Sequence, residues 1–155
     1  MIEGVELYPL SRYEDERGWF MELMRSSNLP KQVKQSNLVF SRKGVIRGLH
    51  YHERGQSDLF ACLSGMVRIV VLDRQTGETF TVDIGDDNPV TVFVPGMHAH
   101  GYEALTDSLF LYHVTEEYDP ADPDEHEIPW DDSRVRHLWS TQSPILSSRD
   151  QAAAS

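Results

Sequence analysis

From Gly18 onward the chain is cut into short runs rich in Val, Ile, Phe, Tyr and Thr, with turn signals between them. The predicted strands are Gly18–Leu23, Asn37–Phe40, Leu59–Leu63, Met66–Leu72, Thr79–Ile84, Val90–Val94 and Ser108–Glu116. Between them stand Ser64-Gly65, the run Asp73 to Gly77, and the run Gly85 to Pro89, each built from residues that favour turns. No stretch has the three-to-four-residue apolar repeat of a long amphipathic helix. Many short strands at this spacing must bury their inner faces against one another, as an antiparallel sandwich or barrel. Pro120 to Pro129 reads as loop. Neither a repeat nor a linker interrupts the pattern, so residues 1–150 are predicted to form one all-β domain, with 151–155 as a frayed tail.

A chain of 155 residues can bury roughly 70% of its unfolded surface, so its stability needs no disulfide or metal. One cysteine, Cys62, excludes an internal disulfide framework and fits a reducing cytoplasm. The first residues lack a basic start followed by an apolar run, so no signal peptide is read there. Apolar runs such as Ile69–Leu72 and Val90–Val94 fall far short of the ~20 residues that span a bilayer. The sequence predicts a cytoplasmic location.

The formal charge of −11 argues against nucleic acid or an anionic membrane as partner. The charge is unevenly spread. Eight of the fourteen cations lie between Arg12 and Arg47, and none lies between Gln75 and Ser133. From Glu116 to Asp132 nine of seventeen residues are acidic, which reads as a solvated loop. An acidic protein that binds a small anion must gather its few cations locally, so the basic N-terminal third is the expected place for a phosphate-bearing ligand.

Histidines come in two pairs. His50 and His52 are two apart in a strand-like segment, and so are His98 and His100. Residues two apart share a strand face, so each pair is predicted to present two imidazoles together.

Six motifs then occur in order: Asp15 to Glu22, Gln35-Ser36-Asn37, Lys43 to His50, His100-Gly101-Tyr102, Tyr112 with Tyr118-Asp119-Pro120, and Leu146 to Asp150. Together they resemble the dTDP-4-dehydrorhamnose 3,5-epimerase family over residues 5 to 150. The resemblance implies a cupin-type double-stranded β-helix, an antiparallel jelly-roll barrel acting on nucleotide-linked 4-keto-6-deoxy sugars without a cofactor. It implies His50 as the base, Asp150 as the carboxylate that orients it, and Tyr112 as the acid on the opposite sugar face. Arg17, Phe20, Glu22, Gln35, Asn37, Arg47, His100 and Tyr118 are implied as contacts to the nucleotide sugar. A homodimer that exchanges N-terminal strands is implied as well, so some of these residues serve a neighbour's site. The chemistry suits the residue types: protons beside a ketone are acidic enough for a positioned imidazole, and arginines bind a diphosphate in bidentate fashion.

Two departures from the family matter most. Asp58 stands where the family has a lysine beside the developing enolate, and His52 replaces a glutamine. At ~4 Å and an effective dielectric constant of ~20, one unit charge is worth roughly 4 kcal/mol, about a thousandfold in rate. A second reading joins both changes. Gly44, His50, His52, Asp58 and Gly65 approximate the first motif of metal-dependent cupins, and His100 would come from the second. His50, His52, Asp58 and His100 would then hold a divalent transition metal for an isomerase, lyase or oxygenase, at the expense of His50 as a free base. A third reading is a nucleotide-sugar binding protein that lost turnover with the lysine. Glu117 and His113, where the family often has an aromatic and a lysine, point to an altered sugar pocket.

Overall fold

The structure, a computed structural model, describes residues 1–154. Its strands are β1 (Glu6–Pro9), β2 (Arg12–Asp15), β3 (Gly18–Met21), β4 (Gln35–Ser41), β5 (Ile46–Tyr51), β6 (Ser57–Ser64), β7 (Met66–Leu72), β8 (Thr79–Gly85), β9 (Val90–Pro95), β10 (Ala99–Ala104), β11 (Ser108–Val114) and β12 (His126–Glu127). One short α-helix, α1 (Ser148–Ala153), ends the described chain. Gln151 to Ala153, read from sequence as part of a frayed tail, continue this helix. No helix among the described residues is long and apolar enough to cross a membrane.

Two five-stranded sheets form the body, in the orders β1-β9-β6-β11-β4 and β12-β5-β10-β7-β8. All the strand pairings are antiparallel. This is the antiparallel jelly-roll that the family resemblance implied. Alternate residues of β7 explain why it sits centrally. Val67, Ile69 and Val71 pack inward with Phe60, Ile84, Val92, Val94 and Phe110. Val70 and Leu72 face the other way, with Ile46 and Leu49. That outer face is covered by a C-terminal segment carrying Trp130, Val135, Leu138 and Trp139. A strand buried on both faces reads as a continuous apolar run, as Ile69–Leu72 does.

Each predicted run contains a strand, but β1, β2, β5, β10 and β12 escaped the periodicity. β5 and β10 were hidden because Gly48 and Gly101 stand where an apolar residue would mark a strand. The structure gives those glycines a purpose. Gly48 has φ +140°, and a Cβ on it would lie 2.7 Å from the Gly101 Cα. The two backbones therefore cross closely, and only glycine permits it.

β2 and β3 form a two-stranded hairpin separate from both sheets. Trp19 and Phe20 on it are exposed, and so are Leu38 and Phe40 on the edge strand β4.

Candidate active site

A cavity of about 980 Å³ opens between the two sheets. His50 enters it from β5 and Tyr112 from β11, on opposite walls. A register irregularity sets the His50 wall. His100 pairs with His50 while Tyr102 pairs with Arg47, so β5 carries one residue more than β10 across this stretch. Without that bulge, three residues would put Arg47 and His50 on opposite faces; with it both line the cavity.

His50 is one fifth exposed, and its Nε2 lies 2.9 Å from Oδ1 of the nearly buried Asp150. The other oxygen of Asp150 accepts the Gly48 N–H at 3.3 Å. Asp150 reaches this point because Ser147 caps α1, its side chain accepting the Asp150 N–H. Burial works against the Asp150 charge, yet the hydrogen bond and charge of His50 outweigh it and hold the carboxyl below its ordinary range. An ionised carboxylate only accepts, so Nε2 carries the proton and Nδ1 is left as the basic nitrogen.

Arg149 places Nη2 3.1 Å from the same His50 nitrogen, while its guanidinium is held by Glu125 at 2.9 Å and by Glu127. Sequence reasoning missed this group; its signals were a cation beside Asp150 and two carboxylates inside a run read as solvent loop. The acidic run is not merely solvated. Glu116, Glu117, Asp119, Asp122, Asp124 and Glu125 all line the cavity, and His126–Glu127 pair with β5 as strand β12. Burial is the first influence on Tyr112, followed by the charges of Asp58 and Glu125, and all push its hydroxyl above the ordinary value.

Asp58 is buried and faces His100 from the opposite sheet, Oδ2 to Nε2 at 3.2 Å. Gln56 donates to its other oxygen at 3.0 Å, and His52 Nε2 lies 3.9 Å away. Burial opposes ionisation of Asp58, but its hydrogen bonding and charge interaction with His100 and His52 win, leaving its carboxyl well below the usual range. Burial likewise opposes a charge on His52, and Asp58 more than restores it, raising that imidazole above its ordinary value. Asp58 thus enters the cavity as a paired carboxylate, not as a bare charge beside the substrate. His98 does not share this face. Its Nε2 lies 3.0 Å from the Glu3 carbonyl oxygen and its ring beside Asp73, because it precedes β10 and is buried away from the cavity.

Of the predicted nucleotide-sugar contacts, Gln35, Asn37, Arg47, His100 and Tyr118 line this cavity. Gln35 joins two of them, donating to Asn37 at 3.0 Å and accepting the Tyr118 N–H at 2.8 Å. Arg47 donates to Ser41 Oγ at 2.9 Å and to the Phe40 carbonyl, with no carboxylate ion-pair partner among the described residues. Arg17, Phe20 and Glu22 lie outside the cavity on the exposed hairpin. Arg17 pairs with Asp15, and Glu22 with Arg25. The basic third therefore does not converge within one chain: of its eight cations only Arg47 lines the cavity.

Fold and site together are those of a jelly-roll protein whose cavity carries a carboxylate-held imidazole on one wall and a tyrosine on the other. The family described as dTDP-4-dehydrorhamnose 3,5-epimerase matches residues 1–155, and the chain belongs to it. It is 38% identical over 150 residues to the spore coat polysaccharide biosynthesis protein SpsL of Bacillus subtilis (strain 168), covering 92% of this chain and 99% of that protein. The Mycobacterium tuberculosis rmlC epimerase superposes with a TM-score of 0.89 at 32% identity, covering 99% of this chain and 84% of the other. The dTDP-6-deoxy-D-glucose-3,5-epimerase RmlC of Legionella pneumophila Philadelphia 1, solved in complex with dTDP-4-keto-L-rhamnose, superposes with a TM-score of 0.88 at 29% identity. That match covers 99% of this chain and 88% of the other.

Proposed function

We propose that the protein epimerises C3, C5 or both of a dTDP-linked 4-keto-6-deoxy sugar. The observation that carries this reading is the Asp150-held His50 on one cavity wall with Tyr112 on the other. The C4 ketone acidifies the neighbouring C–H bonds. His50, its Nε2–H fixed by Asp150, takes a proton at Nδ1, and the negative charge of Asp150 stabilises the imidazolium that forms. Tyr112 returns a proton from the other wall, so the carbon is inverted. Burial keeps the Tyr112 hydroxyl protonated until the enolate demands its proton. No step requires a cofactor.

Arg47 suits the diphosphate, because no carboxylate among the described residues already neutralises it. Arg17, Phe20 and Glu22 serve the reaction from a neighbouring copy. We read the exposed hairpin and the open edge of β4 as the surface of a homodimer that exchanges N-terminal strands, which carries the hairpin to the other chain's cavity. A cytoplasmic setting suits the chain, whose one cysteine is a free thiol. Incubation with dTDP-4-keto-6-deoxyglucose, followed by NMR of the recovered sugar, tests the proposal. The expected result is inversion at C3, C5 or both that disappears in His50→Asn. Unchanged sugar from the folded wild-type protein would reject it.

A further inference from the structure

We propose that His52, Asp58 and His100 form a binding site for one first-row divalent transition-metal ion, opening onto the cavity beside His50. The donor atoms come from three elements: the loop after β5, strand β6 and strand β10. They all lie within 4.8 Å of one another, and all three residues are buried. Ligands about 2.1 Å from a common ion stand roughly 3–3.5 Å apart. The Asp58–His100 separation of 3.2 Å already has that spacing, and the Asp58–His52 separation of 3.9 Å needs only a small closure.

The surroundings of the two imidazoles carry the argument further. His52 Nδ1 sits 2.6 Å from the Asp124 carbonyl oxygen, and His100 Nδ1 sits 2.8 Å from the His98 carbonyl oxygen. A carbonyl can only accept, so each Nδ1 carries a proton and each Nε2 is aimed at Asp58; the proton that Nε2 shares with Asp58 is released to solvent when an ion takes its place. Ligating histidines are oriented in this way, with the far nitrogen bonded to a backbone carbonyl and the near nitrogen free for the metal.

Gln56 is the group that must yield. Its Nε2 lies 3.2 Å from His52 Nε2 and 3.0 Å from Asp58, and a half-turn of the amide presents its oxygen instead. Two imidazoles and a carboxylate suit iron, cobalt, nickel or zinc better than magnesium or calcium. The four-donor set anticipated from sequence is corrected here. His50 is held by Asp150 and lies outside the cluster, so binding an ion leaves the base free. An ion at this point supplies a Lewis acid where the family has its lysine; that role, unlike the binding site itself, rests on the epimerase reading.

The test is titration of tag-free, chelator-treated protein with cobalt(II) chloride, read by calorimetry and by the visible absorption of the bound ion, with no substrate present. One equivalent per chain is expected. Asp58→Asn and His100→Gln are expected to weaken binding more than about a hundredfold, since even outer-shell changes cost ten- to a hundredfold. His126→Gln, on the surface beside Glu53 and Asp124, is expected to leave binding unchanged. Failure of the wild-type protein to take up cobalt overturns the proposal whether or not the variants fold. Binding that survives Asp58→Asn, or that disappears in His126→Gln, overturns it as well. Because no turnover is measured, failure of the epimerase reading leaves this result untouched.

Discussion

Replacing Asp150 by Asn removes one charge while keeping the shape of the side chain that holds His50. Asp150 Oδ1 lies 2.9 Å from His50 Nε2, and at an effective dielectric constant of ~20 a charge pair at that distance is worth about 6 kcal/mol. Two features reduce this. His50 is partly open to solvent, and the Arg149 guanidinium beside the same nitrogen opposes any positive charge on the ring. A loss of about 3–4 kcal/mol in stabilising the imidazolium remains, which slows proton abstraction by roughly two to three orders of magnitude. An Asn can also present its amide N–H to Nε2, favouring the wrong tautomer. The assay is the rate of deuterium entry at C3 and C5 of the 4-keto sugar in D2O, followed by NMR, beside a thermal melt that certifies folding. A folded Asp150→Asn protein exchanging within threefold of wild type would refute the role of this carboxylate.

Other outcomes follow from the same geometry. Tyr112→Phe should form epimerised product at least a hundredfold more slowly while retaining deuterium exchange at the position His50 deprotonates; equal loss of both signals would show that Tyr112 is not the opposite-face acid. Arg17→Ala should weaken thymidine diphosphate binding at least tenfold without lowering the melting temperature, and an unchanged affinity would remove the hairpin from the site. His113 is buried, its Nε2 has no hydrogen-bond partner among the described residues, and burial lowers its pKa. The unfolded chain therefore takes up this proton first, so stability should fall as pH drops through the ordinary histidine value of about 6.5. His113→Gln should flatten that part of the stability–pH curve, and a curve of unchanged slope would count against the assignment.

Much of the barrel could be read from the sequence because β6, β7, β8, β9 and β11 bury apolar faces, and burial writes period-two or continuous apolar runs. The strands that build the site were harder to see. β5 and β10 carry His50, Arg47 and His100 on a surface that must stay polar, and their close crossing requires glycines that look like strand breakers. His50, Asp150 and Tyr112 were reached through resemblance to a family, since no local pattern links residues as far apart in sequence as His50 and Asp150. Period-two reasoning went wrong at His98, which lies outside its strand, and it cannot foresee the bulge that brings Arg47 and His50 to one face. The acidic run from Glu116 to Asp132 looked like solvent loop because charge density alone does not show that Glu125 and Glu127 hold Arg149 beside His50. Arg17, Phe20 and Glu22 lie outside the cavity of the chain that carries them, and no local pattern in the sequence reveals that separation.

The central claim is that His50 removes a proton from a carbon flanking a ketone. Its most direct test is mass and NMR analysis of dTDP-4-keto-6-deoxyglucose after incubation with the wild-type protein in D2O. The account predicts deuterium at C3, C5 or both, abolished in His50→Asn. Absence of deuterium from this and every other 4-keto nucleotide sugar tried, with the fold intact, would contradict it.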